Sequence, residues 1–144
     1  MIQPIPENYP RVNSFLMVPD LEKEAEFIKT VFDAKETERS TLPNGSVIHL
    51  ELRIDDSVIM LGENGGMENM SSMLYIYVED TAATYHKALE AGAKSIMPPG
   101  EQFYGDINAG VQDSFGHFWW IASQFEVLTP EQLNTNAAKA RGMA

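Results

Sequence analysis

Two side chains with acid–base chemistry, His49 and Glu51, stand two residues apart in the stretch Val47–Ile54. This stretch alternates apolar and polar residues, as a β-strand does, and residues i and i+2 of a strand share a face. A histidine and a carboxylate on one face can form a general acid–base pair or supply part of a metal site. They can equally form an interstrand hydrogen bond or a charge pair at the rim of a sheet. One histidine and one carboxylate are an incomplete set for metal-assisted catalysis.

A second stretch, FGHFWWIAS, spans Phe115–Ser123 and holds two adjacent tryptophans. In a strand, Trp119 and Trp120 point to opposite faces because successive side chains alternate. One tryptophan can pack in a core, and the other must then face a different environment. His117 shares a face with Trp119 and lies near a turn, so we expect it to hydrogen-bond to the backbone. His86, on a predicted helix, is expected to be solvated.

An internal repeat positions these residues. Two amphipathic segments, which begin Val18-Pro-Asp20 and Val78-Glu-Asp80, are related by an offset of 60 residues. Each follows one strand pattern and precedes three more, which is a repeat of one supersecondary unit. Asp20 and Asp80 are placed to cap the two helices. The order βαβββ therefore occurs twice, which predicts an α+β fold.

The predicted boundaries follow from the turn residues between the periodic segments. We expect a single domain over residues 1–144, with modules at about 11–62 and 73–125, a mobile Gly-rich linker at 63–72 and a helix at about 130–141. In the second module's helix, the predicted buried stripe is Ala82, Tyr85, Ala88 and Leu89. The predicted strands are Val12–Val18, Glu36–Thr41, Ser46–Ile54 and Ser57–Leu61, then Met73–Val78, Lys94–Met97, Ile107–Asp113 and His117–Gln124.

Composition restricts the partners. The net charge is −11, which argues against nucleic acid, because phosphate binding needs clustered lysine and arginine. The same charge argues against anionic membranes, and it suits a neutral or cationic ligand. There are no cysteines, and hence no disulfide, thiolate metal site or cysteine nucleophile. No apolar run is long enough to span a membrane and the start lacks signal-peptide features, so we expect a cytoplasmic protein.

The paired βαβββ units and several motifs resemble the vicinal oxygen chelate superfamily, also called the glyoxalase/bleomycin resistance/dioxygenase fold. The closer likeness is to its small bacterial branch grouped with the phosphonate-operon B protein. The resemblance implies an incomplete eight-stranded barrel of two modules, with helices on the convex side, a ligand on the concave side and a homodimer. The motifs that carry it are His49–Leu61, Tyr75–Asp80, Gly92–Lys94, Tyr104–Asp106 and Asp113–Trp119.

The sequence departs from the family at the positions of the metal ligands. Metal-dependent members place four ligands, usually histidine, glutamate or glutamine, on the concave face. The residues that fall at these positions here are Asn13, Ile59, Met73 and Trp120. Asparagine is a weak neutral ligand, and the other three offer a hard divalent ion nothing useful. We therefore predict no metal and no other cofactor.

Strand alternation, laid on this fold, predicts a largely aromatic cavity. A mostly apolar lining with a few placed polar groups is typical of a small-molecule site. Phe103 and Tyr104, on a loop, are candidates for a lid, or they anchor that loop. The alternative for the whole set is that the aromatics fill a closed core. The predicted lining is Phe15, Met17, Met73, Tyr75, Tyr77, Phe118 and Trp120, with His49 and Glu51 as its polar points.

Three functions remain open. The favoured one is a metal-free, homodimeric protein that binds or sequesters a hydrophobic or aromatic small molecule, either neutral or cationic. The second is a metal-dependent lyase or dioxygenase that uses displaced ligands such as His49, Glu51 and Asn13. The third is a structural or regulatory dimer with a filled cavity. A fold does not decide among them, because function belongs to the site.

Overall fold

Two compact units, residues 1–72 and 73–144, make up the computed structural model of the chain. The structure describes residues 3–63 and 70–143. The predicted linker at 63–72 therefore lies mostly outside the described residues. Among those residues, no helix is long and apolar enough to cross a membrane.

The first unit is a four-stranded sheet with one helix. Its strands stand in the order β1-β4-β3-β2, with β1 and β4 parallel and the other pairs antiparallel. Both outer strands, β1 and β2, are edges, so the sheet is open. The elements are β1 Ser14–Met17, α1 Leu21–Phe32, β2 Lys35–Thr41, β3 Val47–Ile54 and β4 Ser57–Gly62.

Helix α1 begins and ends where the sequence indicates. The Asp20 side chain accepts a hydrogen bond from the Lys23 amide at 3.0 Å, which satisfies a free N–H of the first turn. Asp33 ends the helix in the left-handed conformation, at φ 55°. The buried stripe of α1 packs on the apolar face of the sheet, where Leu50, Leu52 and Leu61 have no exposed surface.

The second unit repeats this topology, with strand order β5-β8-β7-β6 and one parallel pair, β5 with β8. The predicted pair of βαβββ modules in an α+β fold is thus confirmed. A third helix follows β8, and Thr129 caps it in a capping box with Gln132. The elements are β5 Met73–Tyr77, α2 Thr81–Glu90, β6 Lys94–Glu101, β7 Asp106–Gln112, β8 Phe118–Gln124 and α3 Pro130–Ala140.

The buried stripe of α2 differs from the predicted one. Ala82 is exposed, and the stripe instead follows the spacing i, i+3, i+4, i+7 from Thr81. Thr81 can be buried because its hydroxyl lies 3.1 Å from the Ile107 carbonyl oxygen and 2.8 Å from Ser123 Oγ. The buried members are Thr81, Thr84, Tyr85 and Ala88.

The two adjacent tryptophans of β8 point to opposite faces. Trp119 is fully buried on the helix side, and its Nε1 donates to Asp113 Oδ2 at 2.9 Å. His117, also buried, donates its backbone N–H to Asp113 Oδ1. Trp120 faces the other way and lies across Gly110, its partner in β7. A Cβ atom added to Gly110 would overlap the six-membered part of the Trp120 ring.

We expect Gly110→Ala to destabilise the protein by about 1–3 kcal/mol, because the added methyl group forces the indole from its position. Urea unfolding followed by circular dichroism measures this. Gly100→Ala is the matched control, since a Cβ there meets nothing within 4 Å. In the double variant with Trp120→Ala, the cost of the Gly110 substitution should largely disappear. Equal costs in the two backgrounds would contradict the predicted overlap.

Candidate functional site

Each sheet has one face without a helix of its own unit, and we call it the open face. Side chains that are opposite each other in neighbouring strands share a face, so the strand register assigns them. In the first unit, Leu50 stands opposite Leu61 on the helix side, and Glu51 stands opposite Met60 on the open face. His49 and Phe15 share the open face with Glu51.

This register corrects one predicted position. Ile59 is paired with Leu52 and is 4% exposed, so it belongs to the helix side. Met60 takes the open-face position that we assigned to Ile59. The error has a simple cause, because a shift of one residue in a strand moves a side chain to the opposite face.

A hydrogen-bonded cluster occupies the open face of the first sheet. Glu51 is 5% exposed, and its Oε2 lies 2.8 Å from His49 Nε2. The hydroxyl of Tyr9, which comes from the segment before β1, donates to Glu51 Oε1. Arg53 lies over the Tyr9 ring, 5.1 Å from its centroid. His49 and Glu51 therefore bond to each other within one strand. Of the alternatives named from the sequence, this is neither an interstrand hydrogen bond nor a charge pair at the rim of the sheet.

Hydrogen bonding sets the protonation states in this cluster. Burial acts to raise the pKa of Glu51, but the hydrogen bonds from Tyr9 and His49 outweigh it and lower the pKa. The hydrogen bond to Glu51 raises the pKa of Tyr9 to about 12. Glu51 is therefore an anion that accepts from a neutral tyrosine. Because a carboxylate only accepts, the His49 ring donates from Nε2 to Glu51.

The open face of the second sheet is aromatic. Tyr75 stands opposite Trp120 in the register, and Tyr77 stands opposite Ala122. The Tyr75 and Tyr77 rings meet edge to face, with centroids 5.5 Å apart. Met73 and Tyr77 are 60% and 63% exposed, so this face is not filled by its own unit's side chains. The predicted residues on it are Met73, Tyr75, Tyr77, Phe118 and Trp120.

A buried carboxylate lies beneath these tyrosines. Asp106, 4% exposed, accepts hydrogen bonds at Oδ2 from the hydroxyls of Tyr75 and Tyr77, at 2.6 and 2.9 Å. Burial and the bond to Asp106 raise the pKa of Tyr75, and the bond to Asp106 raises the pKa of Tyr77. Both tyrosines therefore stay neutral donors.

The fully buried Asn108 links this carboxylate cluster to a loop. Its Nδ2 donates to the hydroxyls of Tyr104 at 2.5 Å and Tyr75 at 3.3 Å. Phe103 is next to Tyr104, with their rings edge to face and centroids 5.1 Å apart, and its carbonyl oxygen accepts from Asn136. The loop that carries Phe103 and Tyr104 is thus anchored by these contacts, and a lid function stays a prediction.

The open faces do not hold a set of donors that fits a metal ion. No group of three or more histidine, aspartate or glutamate side chains suited to a metal occurs in residues 3–63 and 70–143. Asn13 precedes β1, and its Nδ2 donates to the Pro10 carbonyl oxygen at 2.9 Å. Met60, Met73 and Trp120 supply no hard donor. His49 and Glu51 are two donors that already bond to each other.

Three residues of these clusters were not singled out as site residues from the sequence. Tyr9 comes from a proline-rich lead-in, and nothing in the local pattern pairs it with Glu51, which is 42 residues away. Asp106 and Asn108 alternate with Ile107 at the start of β7. This alternation was the one available signal that the two polar side chains share a face of the strand.

Two four-stranded sheets, each built from a βαβββ unit, are the fold by which the class of this protein is identified. The Glyoxalase/Bleomycin resistance protein/Dioxygenase superfamily matches residues 11–121 of the chain. The chain therefore belongs to this superfamily. An uncharacterized protein from Mycobacterium bovis is 32% identical over 136 residues, which cover 86% of this chain and 90% of that protein.

Solved structures show the same fold at lower identity. TioX from Micromonospora sp. ML1 matches with a TM-score of 0.69 and 18% identity, over 79% of this chain and 99% of that one. A glyoxalase/bleomycin resistance protein/dioxygenase family enzyme from Burkholderia phytofirmans PsJN matches with a TM-score of 0.64 and 21% identity, over 79% and 96%. At such identities the likeness concerns the fold alone.

We expect Tyr9→Phe to lower the free energy of unfolding by about 1–3 kcal/mol at pH 7, because it removes a hydrogen bond to a buried anion. The pKa of Glu51 in the folded chain lies below its ordinary value of 4.5, so the anion's contribution is complete above that value. It is lost as the pH falls through the lowered pKa. Urea unfolding of both proteins from pH 7 to pH 3 measures this.

The matched control is Tyr104→Phe, which removes a hydroxyl that bonds to a neutral amide. Its cost should change little over the same pH range. A cost of Tyr9→Phe that stays constant down to pH 3 would show that Tyr9 does not act on an ionised Glu51.

Proposed function

We propose that this protein binds a small aromatic or hydrophobic molecule on its open faces, without a metal. The observation that carries the proposal is the exposed aromatic surface of the second sheet. Aromatic side chains that could have packed in a core are instead 42% and 63% exposed at Tyr75 and Tyr77. An exposed cluster of this kind on a soluble protein marks a binding surface for a ligand or partner.

The construction of the surface favours a small ligand. Strands β5 and β8 present its rings, and rigid elements hold a contact surface better than loops do. Gly110 leaves room for the six-membered part of the Trp120 ring directly over the β7 backbone. Flat aromatic walls above a few polar groups suit stacking on a planar molecule.

The chemistry of the donors supports binding without a metal. Of the superfamily's ligand positions, one holds the weak neutral ligand Asn13, and the others, with Met60, Met73 and Trp120, supply no hard donor. The carboxylate on each open face is already engaged in hydrogen bonds within its own unit, Glu51 with His49 and Asp106 with Tyr75. A metal-dependent lyase or dioxygenase would need His49 and Glu51 to be released from each other.

The finer predictions belong to this proposal. We expect the chain to group with the phosphonate-operon B branch, to form a homodimer and to work in the cytoplasm without nucleic acid or a membrane as a partner. Light scattering after size-exclusion chromatography measures the oligomeric state.

Ligand binding should depend on Trp120. A saturating aromatic ligand should raise the melting temperature, because it binds the folded state alone. We expect Trp120→Ala to weaken binding of such a ligand about 2- to 30-fold, the range for the loss of one aromatic contact. Val127→Ala is the control, because Val127 is 82% exposed and lies outside both sheets.

A panel of neutral and cationic aromatic compounds, tested by thermal shift and then by titration calorimetry, measures this. If no compound of the panel stabilises the protein, the proposal is wrong and a structural or regulatory role becomes the better explanation. Circular dichroism of Trp120→Ala establishes that the variant is folded.

Metal content gives an independent test. Protein purified without a His-tag or chelator should contain well under one equivalent of metal per chain. It should retain none after soaking with Ni²⁺, Zn²⁺, Mn²⁺ or Fe²⁺ and desalting, because two donors hold such ions weakly. About one tightly held ion per chain would overturn the metal-free proposal. His49→Ala and Glu51→Ala would then show whether these residues are the ligands.

A further inference from the structure

The Asp106 carboxylate is buried, and among the residues that the structure describes it forms no ion pair. In this part of the chain its side chain bonds to the hydroxyls of Tyr75 and Tyr77. A buried anion is costly unless a cation or several hydrogen bonds compensate it. Both hydroxyls donate to Oδ2, which leaves Oδ1 outside these two bonds.

The neighbouring Asn108 presents a second acceptor. Tyr75 gives its hydroxyl proton to Asp106, so its oxygen can only accept a bond from Asn108. This fixes the amide of Asn108 with Nδ2 toward Tyr75 and Tyr104 and with Oδ1 away from them. Asn108 Oδ1 is buried and has no hydrogen-bond partner in the described structure. Such an orphaned acceptor is uncommon in a folded protein and calls for a donor.

Aromatic rings surround these acceptors. Tyr75 and Tyr77 meet edge to face directly above Asp106, and Trp120 stands next to Tyr75 in the register. Ring faces attract cations through their quadrupole. The Asp106 and Asn108 oxygens therefore offer hydrogen-bond acceptors and a negative charge, and the aromatic rings favour a flat cation.

We propose that the open face of the second sheet binds a protonated primary or secondary amine on a flat apolar body. Asp106 is its counter-ion, Asn108 Oδ1 accepts an N–H bond from it, and Tyr75, Tyr77 and Trp120 contact its apolar part. This inference rests on the proposed function and names the ligand class for the same surface. A quaternary ammonium ion has no N–H to give, so it satisfies the charge of Asp106 but not Asn108.

The Asn108 amide donates to the hydroxyl of Tyr104, which is 36% exposed on the loop between β6 and β7. Asn108 Oδ1 is buried, so we expect neighbouring side chains to move when an amine reaches it. Exposed side chains rotate on a fast timescale, so such a movement does not require unfolding.

The test compares three probes of one shape by titration calorimetry at pH 7: phenethylamine, the neutral phenethyl alcohol and phenethyltrimethylammonium. We expect the amine to bind about 10-fold or more tightly than the alcohol, since its bonds to the site are charge-assisted. The quaternary ion should fall between them. The wild-type ratio of amine to alcohol affinity needs no variant, so it tests the inference even if a substitution prevents folding.

Asp106→Asn should bring the amine-to-alcohol ratio close to one, because it removes the charge and keeps the shape. The matched control is Asp113→Asn, a buried aspartate of the same unit that bonds to Trp119 on the helix side. This control should retain the wild-type ratio. Circular dichroism establishes that both variants are folded.

The outcomes separate this inference from the proposed function. If the alcohol binds as tightly as the amine, the amine assignment is wrong while aromatic binding stands. If Asp113→Asn abolishes the preference as fully as Asp106→Asn, the preference does not come from Asp106, and the assignment is again wrong. If none of the probes binds, and the wider aromatic panel also fails, both proposals fall.

Discussion

A single helix can cover only one face of a four-stranded sheet, and this constraint shapes both units. Because strand side chains alternate, each residue packed under α1 or α2 forces its neighbours onto the opposite face. The buried Leu50 and Leu52 thus carry Glu51 between them, and the buried Trp119 and Ile121 carry Trp120. The polar and aromatic residues of the candidate site therefore lie on the open faces, opposite the helices.

The two units use equivalent positions differently. The register pairs Glu51 with Met60 in the first unit and Gly110 with Trp120 in the second, so Glu51 and Gly110 correspond. With a carboxylate at this position, the first sheet collects Tyr9 and His49 into a polar cluster. With glycine there, the second sheet accommodates a large ring. Its carboxylate, Asp106, comes from the start of the strand that holds Gly110 and lies under tyrosines.

Local patterns predicted most of the fold and part of the site. The caps Asp20 and Asp80 and the alternation around His49 and Trp120 are signals within a few residues, and each agrees with the structure. Tyr9 and Asn108 could not be placed in this way, because Tyr9 bonds to Glu51, 42 residues away, and Asn108 bonds to Tyr75, 33 residues away. The sequence also did not determine the position of a strand or helix to within one residue. An error of one residue put Ile59 on the wrong face of β4, and a similar error in the rotation of α2 placed Ala82 among the buried residues.

The close approach of Trp120 to Gly110 also has a historical consequence. A side chain at position 110 overlaps the indole in its present position, so a chain that gains the tryptophan before the glycine is destabilised. The order of substitutions that costs least is glycine first and tryptophan second. Reversal carries the same cost, since a side chain restored at position 110 displaces the ring. The aromatic surface therefore depends on a sequence of substitutions that is hard to retrace, which would preserve the difference between the two halves of the chain.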